Sequence, residues 1–365
     1  MNDYIPQLVV GQYTEISNRG IFKNTYNPFT ELSWGNTYFL LNVQLIEKVS
    51  LPTNCTQVVI SFHTEYYNYY TLVDFFNKYP TCKFLLLSDG DNTNTWPDNV
   101  MYVQWVTWGD QLDVAIAVHG VNTDIRLPTK KVSSLSSRHE FHKAAITSYL
   151  INNYKSDEYI MSWHDIRYSS VPYYLHDNFK IQSDRINECI NSELFNNIIP
   201  TTPDGYTQKQ NNPISNGNWR TGAYIDCAIN LTNESVFNSR FLYNNCPHEY
   251  TTPYLTEKTW KPLLARQAFI PIGQYNTISH LSKLGMNFEY GLNLSFDNRI
   301  MEFERIEEIY TLLDTIKEID INKLNRQLQP VADFNLNLIT SGQFQKNCKE
   351  FNMQQLDKIT DWLNE

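Results

Sequence analysis

The sequence predicts an α/β protein made of two successive parallel-sheet domains, and three observations carry that prediction. Continuous apolar runs recur at residues 58–63, 83–88 and 100–105. Segments of helical character lie between such runs. A second strand–helix series follows a polar break, containing Pro128, over residues 120–131. Apolar strands without polar alternation, separated by helices, belong to parallel sheets covered on both faces.

Taken in order, Val58-Val59-Ile60-Ser61-Phe62-His63 reads as a buried strand. Residues 72–79 read as a helix closed by Pro80. Lys83-Phe84-Leu85-Leu86-Leu87-Ser88 is a second buried strand, running into Asp89-Gly90-Asp91, and residues 100–105 are a third. The break places one domain at residues 1–128 and another at 129–365. In the second, Lys131-Val132-Ser133-Ser134-Leu135 enters a helix over residues 139–153, and residues 159–163 form a strand. Residues 200–220, rich in Pro, Gly, Asn and Thr, read as a surface loop. Residues 223–229 are a strand, 256–267 a helix and 268–272 the next strand. Residues 278–284 are a short helix ended by Gly285. From Arg299, a stripe of Ile300, Phe303, Ile306, Ile309, Leu313 and Ile316 marks a long amphipathic helix that packs on the second domain.

With 365 residues, 42% hydrophobic and 14% aromatic, the chain can bury large cores, which excludes wholesale disorder. No stretch reaches the roughly 18 consecutive apolar residues of a membrane span. Met1-Asn2-Asp3-Tyr4 lacks the basic and apolar regions of a signal peptide. The expectation is a cytoplasmic protein without a membrane span. The six cysteines are scattered without a CxxC pair, which argues against a zinc ribbon or a disulfide scaffold. Net charge is −10, divided as −6 over residues 1–128, +1 over 129–275 and −5 over 276–365. This balance opposes charge-driven adhesion to DNA and leaves room for a local anion site in the middle third.

Two domains meeting at a mid-chain boundary form a cleft, and ligands of such sheets lie beyond the carboxyl ends of the strands. The segment Pro253-Tyr254-Leu255-Thr256-Glu257-Lys258-Thr259-Trp260-Lys261 is the most informative there. Thr256 can cap the helix it opens, and Lys258 and Lys261 sit near the start of that helix. A helix N-terminus offers free N–H groups and partial positive charge, so adding Lys258 suits it to a diphosphate. Glu257 can accept hydrogen bonds from ribose hydroxyls. An ordinary capped helix with solvated charges is the other reading of the same spacing.

Tyr254-Leu255-Thr256-Glu257-Lys258, followed by an apolar helix and the strand Ala268-Phe269-Ile270-Pro271-Ile272-Gly273, resembles the donor-site motif of GT-B glycosyltransferases of the α1,3-fucosyltransferase type. The likeness is greatest to divergent relatives encoded by bacteriophages and large viruses. It implies two facing Rossmann-like domains with an inter-domain cleft: an acceptor domain first, then a nucleotide-sugar domain with C-terminal helices. It implies that Tyr254, Thr256, Glu257 and Lys258 bind the donor, with Lys258 on the diphosphate and Glu257 on the ribose. Lys130-Lys131-Val132-Ser133-Ser134-Leu135-Ser136-Ser137-Arg138 is similar to the basic strand that opens the family's second domain, which puts Arg138 on the phosphates. Fucosyltransferases carry Glu-Asn-Ser shortly before the motif; this chain has Asn233-Glu234-Ser235, with residues 236–253 between.

The family's general base lies on a first-domain loop. Glu65, just beyond the strand ending at His63 and followed by Tyr66, Tyr67, Tyr69 and Tyr70, is the first candidate. Asp89 is the second. His63 and Glu65 as a satisfied polar strand end is the alternative. His139 and His142 have the i, i+3 spacing of two metal ligands but lack further ligands at telling positions, so no metal and no cofactor are expected. Asp89-Gly90-Asp91 reads as a turn. The chain contains no Gly-x-Gly-x-x-Gly, P-loop or Gly-x-Ser-x-Gly. The resulting expectation is a metal-independent, inverting transfer from a nucleotide sugar. The acceptor is a hydroxymethylated pyrimidine in phage DNA, or alternatively a cell-surface glycan; a non-catalytic carbohydrate-binding protein is the rival class.

Overall fold

The computed structural model describes residues 37–40, 50–51, 55–61, 69–88, 95–136, 140–163, 183–197, 219–234, 237, 255 and 257–364. Over these it is an α/β protein with two four-stranded parallel sheets.

The first sheet holds β1 (Thr37–Leu40), β2 (Gln57–Ser61), β3 (Lys83–Ser88) and β4 (Val100–Gln104), in that order and all parallel. Side chains alternate between faces along each strand. Val58, Ile60, Phe84 and Leu86 pack on one side against Leu72, Phe75 and Phe76 of helix α1 (Tyr69–Lys78). Val59, Leu85, Leu87 and Val103 pack on the other against Leu356 and Ile359 of the last helix, Gln343–Asn364. Full burial of each such side chain contributes about 1.5–3 kcal/mol. The Asn352 side chain fixes that last helix by accepting from Val106 N (2.8 Å) and donating to Val106 O (2.9 Å). Lys83 Nζ donates to Trp362 O at 2.7 Å. Helix α2 (Trp108–His119) approaches the last helix so closely at Gly109 that an added Cβ would lie 3.1 Å from Gln345 Cα.

The second sheet holds β5 (Lys130–Ser136), β6 (Tyr159–Trp163), β7 (Cys227–Asn233) and β8 (Ala268–Ile272), in the order β6-β5-β7-β8 and all parallel. With it run α3 (Phe141–Asn153), α4 (Asp184–Ile190), α5 (Glu193–Asn196), α6 (Gly222–Ile225), α7 (Glu257–Leu264), α8 (Thr277–Lys283), α9 (Glu302–Glu318) and α10 (Ile321–Thr340); the helix at Gln343–Asn364 is α11. Every residue of β7 is buried, polar ones included. Asn230 Nδ2 donates to Ser133 Oγ (2.8 Å) on the neighbouring strand, and Thr232 Oγ1 donates to Asn230 Oδ1 (2.7 Å). Asn233 Nδ2 donates to Ser134 Oγ (2.8 Å) and Ser136 Oγ (3.1 Å). Burying a polar group is costly unless it is partnered, and these bonds offset that cost, although Asn233 Oδ1 has no hydrogen-bond partner among the described residues.

The sequence places the domain boundary at residue 128, whereas the compact units divide between Val114 and Ala115, and Gln343–Glu365 returns to the first unit. The reason is the apolar face of α11, which covers the first sheet. Residues 223–229 were expected as strand. The structure gives one helical turn over Gly222–Ile225, and the strand runs from Cys227 to Asn233. Arg126, buried, holds that turn by donating to the carbonyls of Tyr224, Ile225 and Cys227. The long helix begins at Glu302, so Ile300 falls before it and is 55% exposed, while Ile306, Ile309, Leu313 and Ile316 are buried as the stripe predicts. Gly285, with φ of 99°, follows α8 in the left-handed conformation. The expected loop at 200–220 lies outside the described residues except for Trp219 and Arg220.

Candidate functional site

In the second sheet the chain moves from β5 outward to β6, then returns across β5 to place β7 on its other side. The winding therefore reverses between β5 and β7, and their carboxyl ends, at Ser136 and Asn233, border the crevice where ligands of open parallel sheets bind. Helix α3 starts at Phe141 shortly after β5, and α7 starts at Glu257 after the longer segment that follows β7. Both N-termini thus belong to the crevice end of the sheet.

Glu234, fully buried and next after β7, joins the two helix starts. Its carboxylate accepts from the Thr259 hydroxyl in the first turn of α7. Its backbone carbonyl lies 3.2 Å from His142 Nε2 in the first turn of α3. A carbonyl only accepts, so Nε2 carries the proton in that bond. The His142 ring stacks on Phe237, centroids 4.7 Å apart with planes 9° apart. Phe237 also has Arg305 of α9 over its ring, with the guanidinium carbon 4.1 Å from the centroid. Arg305 also donates to Phe237 O (2.7 Å) and to Gly273 O beyond β8.

The charges that act on His142 are positive. Burial holds His142 well below its usual pKa; Lys143 acts next in the same direction, and Arg305 and Lys258 add to it, against the Glu234 carbonyl. His142 is therefore a neutral ring whose surroundings resist further positive charge. Burial lowers Arg305 to about 10 despite Asp297 and Glu302 nearby. Lys143, 1% exposed, pairs with Glu140 at 2.5 Å. Lys258 is half-buried on the first turn of α7. Such an arrangement can hold an oxyanion: Lys258 supplies formal charge and the helix starts supply oriented N–H dipoles.

The helix after β8 differs. The Asp297 carboxylate accepts from Ile278 N (2.9 Å) and Ser279 N (3.0 Å), so the first turn of α8 is occupied by the protein itself. Burial pushes the Asp297 carboxyl upward even with these bonds.

Of the residues singled out from sequence, the structure places Lys258 on the first turn of α7, where its charge acts on His142, and the Glu257 backbone at the first position of that helix. Glu65, Asp89, Arg138, Tyr254 and Thr256 lie outside the described residues, as does the Glu257 side chain. His139, His63, Tyr66 and Tyr67 lie outside them too, while His142 is a stacked core imidazole. Among the described residues, no group of three or more His, Cys, Asp or Glu side chains is placed to hold a metal ion. Among them also, no helix is long and apolar enough to cross a membrane. Sequence reasoning missed the Glu234–Thr259 bond, which spans the 25-residue separation that set Asn233-Glu234-Ser235 apart from α7. The chain matches no family model, no curated protein and no solved structure.

Proposed function

We propose that the chain is a metal-independent, inverting glycosyltransferase of GT-B type that draws its sugar from a nucleoside-diphosphate donor. The observation that carries this reading is Lys258 on the first turn of α7, the helix that follows β7 at the reversal of winding, with its charge acting on His142. The resemblance of residues 254–258 to a donor motif gives that position a ligand, with Glu257 on the ribose and Arg138 joining Lys258 on the diphosphate. In this mechanism a first-domain carboxylate, Glu65 or else Asp89, takes the proton of the acceptor hydroxyl. The acceptor oxygen then displaces the diphosphate at the anomeric carbon. Lys258, Arg138 and the helix start stabilise the negative charge that the leaving group gathers.

For the acceptor we propose the hydroxymethyl group of a modified pyrimidine in DNA, a base that must leave the duplex stack to react. This rests on the likeness to phage relatives. A glycan acceptor is the second reading, favoured by the net charge of −10, which opposes a polyanion. The test begins with a panel of nucleotide sugars, without acceptor and in EDTA. Slow release of nucleoside diphosphate from one of them is expected. Transfer to duplexes containing hydroxymethylated pyrimidine is then read by mass spectrometry of the nucleosides. Turnover that EDTA abolishes and magnesium or manganese restores would contradict the metal-independent mechanism. Tight sugar binding with no turnover of any donor would leave a carbohydrate-binding protein.

A further inference from the structure

His142 stands where the segments of the crevice meet, and a chain of hydrogen bonds ties it to α7. Thr259, next to Lys258, donates its hydroxyl to the Glu234 carboxylate. The Glu234 carbonyl lies 3.2 Å from His142 Nε2. Glu234 N in turn donates to Ile272 O at 3.0 Å, so β8 holds the residue that bridges the two helix starts. The His142 ring is 3% exposed and stacked on Phe237. With the Nε2 proton committed to a carbonyl, the lone pair of the neutral ring is on Nδ1, and a further proton goes there.

The ionic groups at the ring come from four segments. On α3 itself, Glu140 Oε2 is 3.9 Å from His142 Nε2 and 2.5 Å from Lys143 Nζ, so this carboxylate is shared with an ammonium. The end of β7 brings the Glu234 carboxylate, engaged by Thr259. Helix α9 brings Arg305, with Asp297 and Glu302 acting on it, and α7 brings Lys258. Burial opposes a proton on the ring most, and Lys143, Arg305 and Lys258 oppose it further. A diphosphate beside Lys258 adds charges of the opposite sign to this field. At an effective dielectric of about 20, one charge about 10 Å away moves a pKa by about one unit. Coupling between two binding events is reciprocal, so a ligand that favours the proton is favoured by it equally.

We propose that His142 makes the donor site pH-sensitive: a diphosphate bound at the start of α7 draws a proton from solvent onto His142 Nδ1, and the site holds its ligand more tightly as pH falls from about 7 to about 5. This rests on the reading of α7 as the donor site and adds acidity as a regulator of its occupancy.

The test titrates pyrophosphate and nucleoside diphosphates into wild type, His142→Gln, His142→Phe and Lys258→Ala by calorimetry, in buffers of differing ionisation heat. The dependence of the observed heat on the buffer gives the protons taken up per ligand. His142→Gln keeps a donor toward the Glu234 carbonyl and His142→Phe keeps the stack on Phe237; neither side chain titrates. Thermal unfolding at each pH checks the fold. The terminal phosphate of the probe itself titrates near pH 6, so the reading is the difference between wild type and variant. Wild type is expected to take up a larger fraction of a proton than either variant below about pH 6.5. Its affinity should rise relative to theirs, by at most about tenfold per pH unit, the limit for one proton. Imidazole nitrogen spectra of isotope-labelled wild type give a second reading that needs no variant: saturating pyrophosphate at about pH 5.5 should protonate a histidine that is neutral without it. Equal proton uptake in wild type and folded variants, or a histidine spectrum unmoved by saturating ligand, overturns the coupling. If binding in that case still depends on Lys258, the donor site stands without it. No diphosphate binding by wild type overturns both. His142-dependent proton uptake in a protein that turns over no nucleotide sugar keeps the coupling while the transferase reading fails.

Discussion

The two sheets have four described parallel strands each, yet they are wound and filled differently. In the first, strand order follows chain order and β3 buries Phe84, Leu85, Leu86 and Leu87 in a row. In the second, the order reverses between β5 and β7, and the strands at the reversal bury Ser133, Ser134, Ser136, Asn230, Thr232 and Asn233. Apolar burial is non-directional and makes a scaffold; a partnered polar ladder fixes one register and brings hydrogen-bonding groups to the strand ends. The reversal then leaves a crevice just where Glu234 ties two helix starts together. Among the described strands, the first sheet has neither feature, which is why the donor is assigned to the second.

The largest effect expected concerns the role left to the first sheet. If its loops supply the base, Glu65→Gln lowers kcat by about 10²–10⁴-fold with donor affinity nearly unchanged. Full activity in Glu65→Gln with loss in Asp89→Asn moves the base to Asp89; full activity in both removes the acceptor site from these loops.

Core substitutions sharpen the contrast in filling. Leu86→Ala, at a fully buried position, should destabilise by about 2–5 kcal/mol in denaturant unfolding. Asn230→Ala strips Ser133 and Thr232 of a partner and should cost about 1–3 kcal/mol. Asn230→Ala should also weaken nucleotide binding, because β7 carries Glu234 at its end, whereas Leu86→Ala should not. Equal effects of the two on nucleotide affinity would erase the distinction between the sheets.

A smaller effect follows from His142. Its folded pKa is depressed, so the unfolded chain binds its proton first as pH falls. The stability it contributes is complete above the unfolded value of about 6.5 and declines below it, by at most about 1.4 kcal/mol per pH unit. His142→Phe keeps a ring against Phe237 and removes this slope. Identical pH profiles between pH 7 and 5 would contradict the buried neutral assignment.

Much of the scaffold is legible in the sequence for a physical reason. Residues 84–87 and 268–272 are continuous apolar runs, and the strands Lys83–Ser88 and Ala268–Ile272 are built on them. Residues 223–229 mislead because Asn230 and Asn233 look like a strand end until their partners on β5 are known. No strand was expected at Thr37–Leu40 and no helix at Trp108–His119; the latter's apolar residues are divided by Gly109, Asp110 and Asp113. The return of α11 to the first sheet is a long-range choice that local pattern does not encode. At the site, Lys258 was visible through its place at a helix start. Glu234, Thr259 and Phe237 were not, since their meaning lies in contacts across long separations.

The central claim is that α7 opens on a diphosphate at the reversal of the second sheet. Calorimetric titration of nucleoside diphosphates into wild type and Lys258→Ala tests it most directly. The account predicts saturable binding to wild type and a loss of about 1.5–3 kcal/mol in Lys258→Ala, the range for a hydrogen bond to a charged group, with unfolding unchanged. Equal affinity of the two proteins for every nucleoside diphosphate would contradict it.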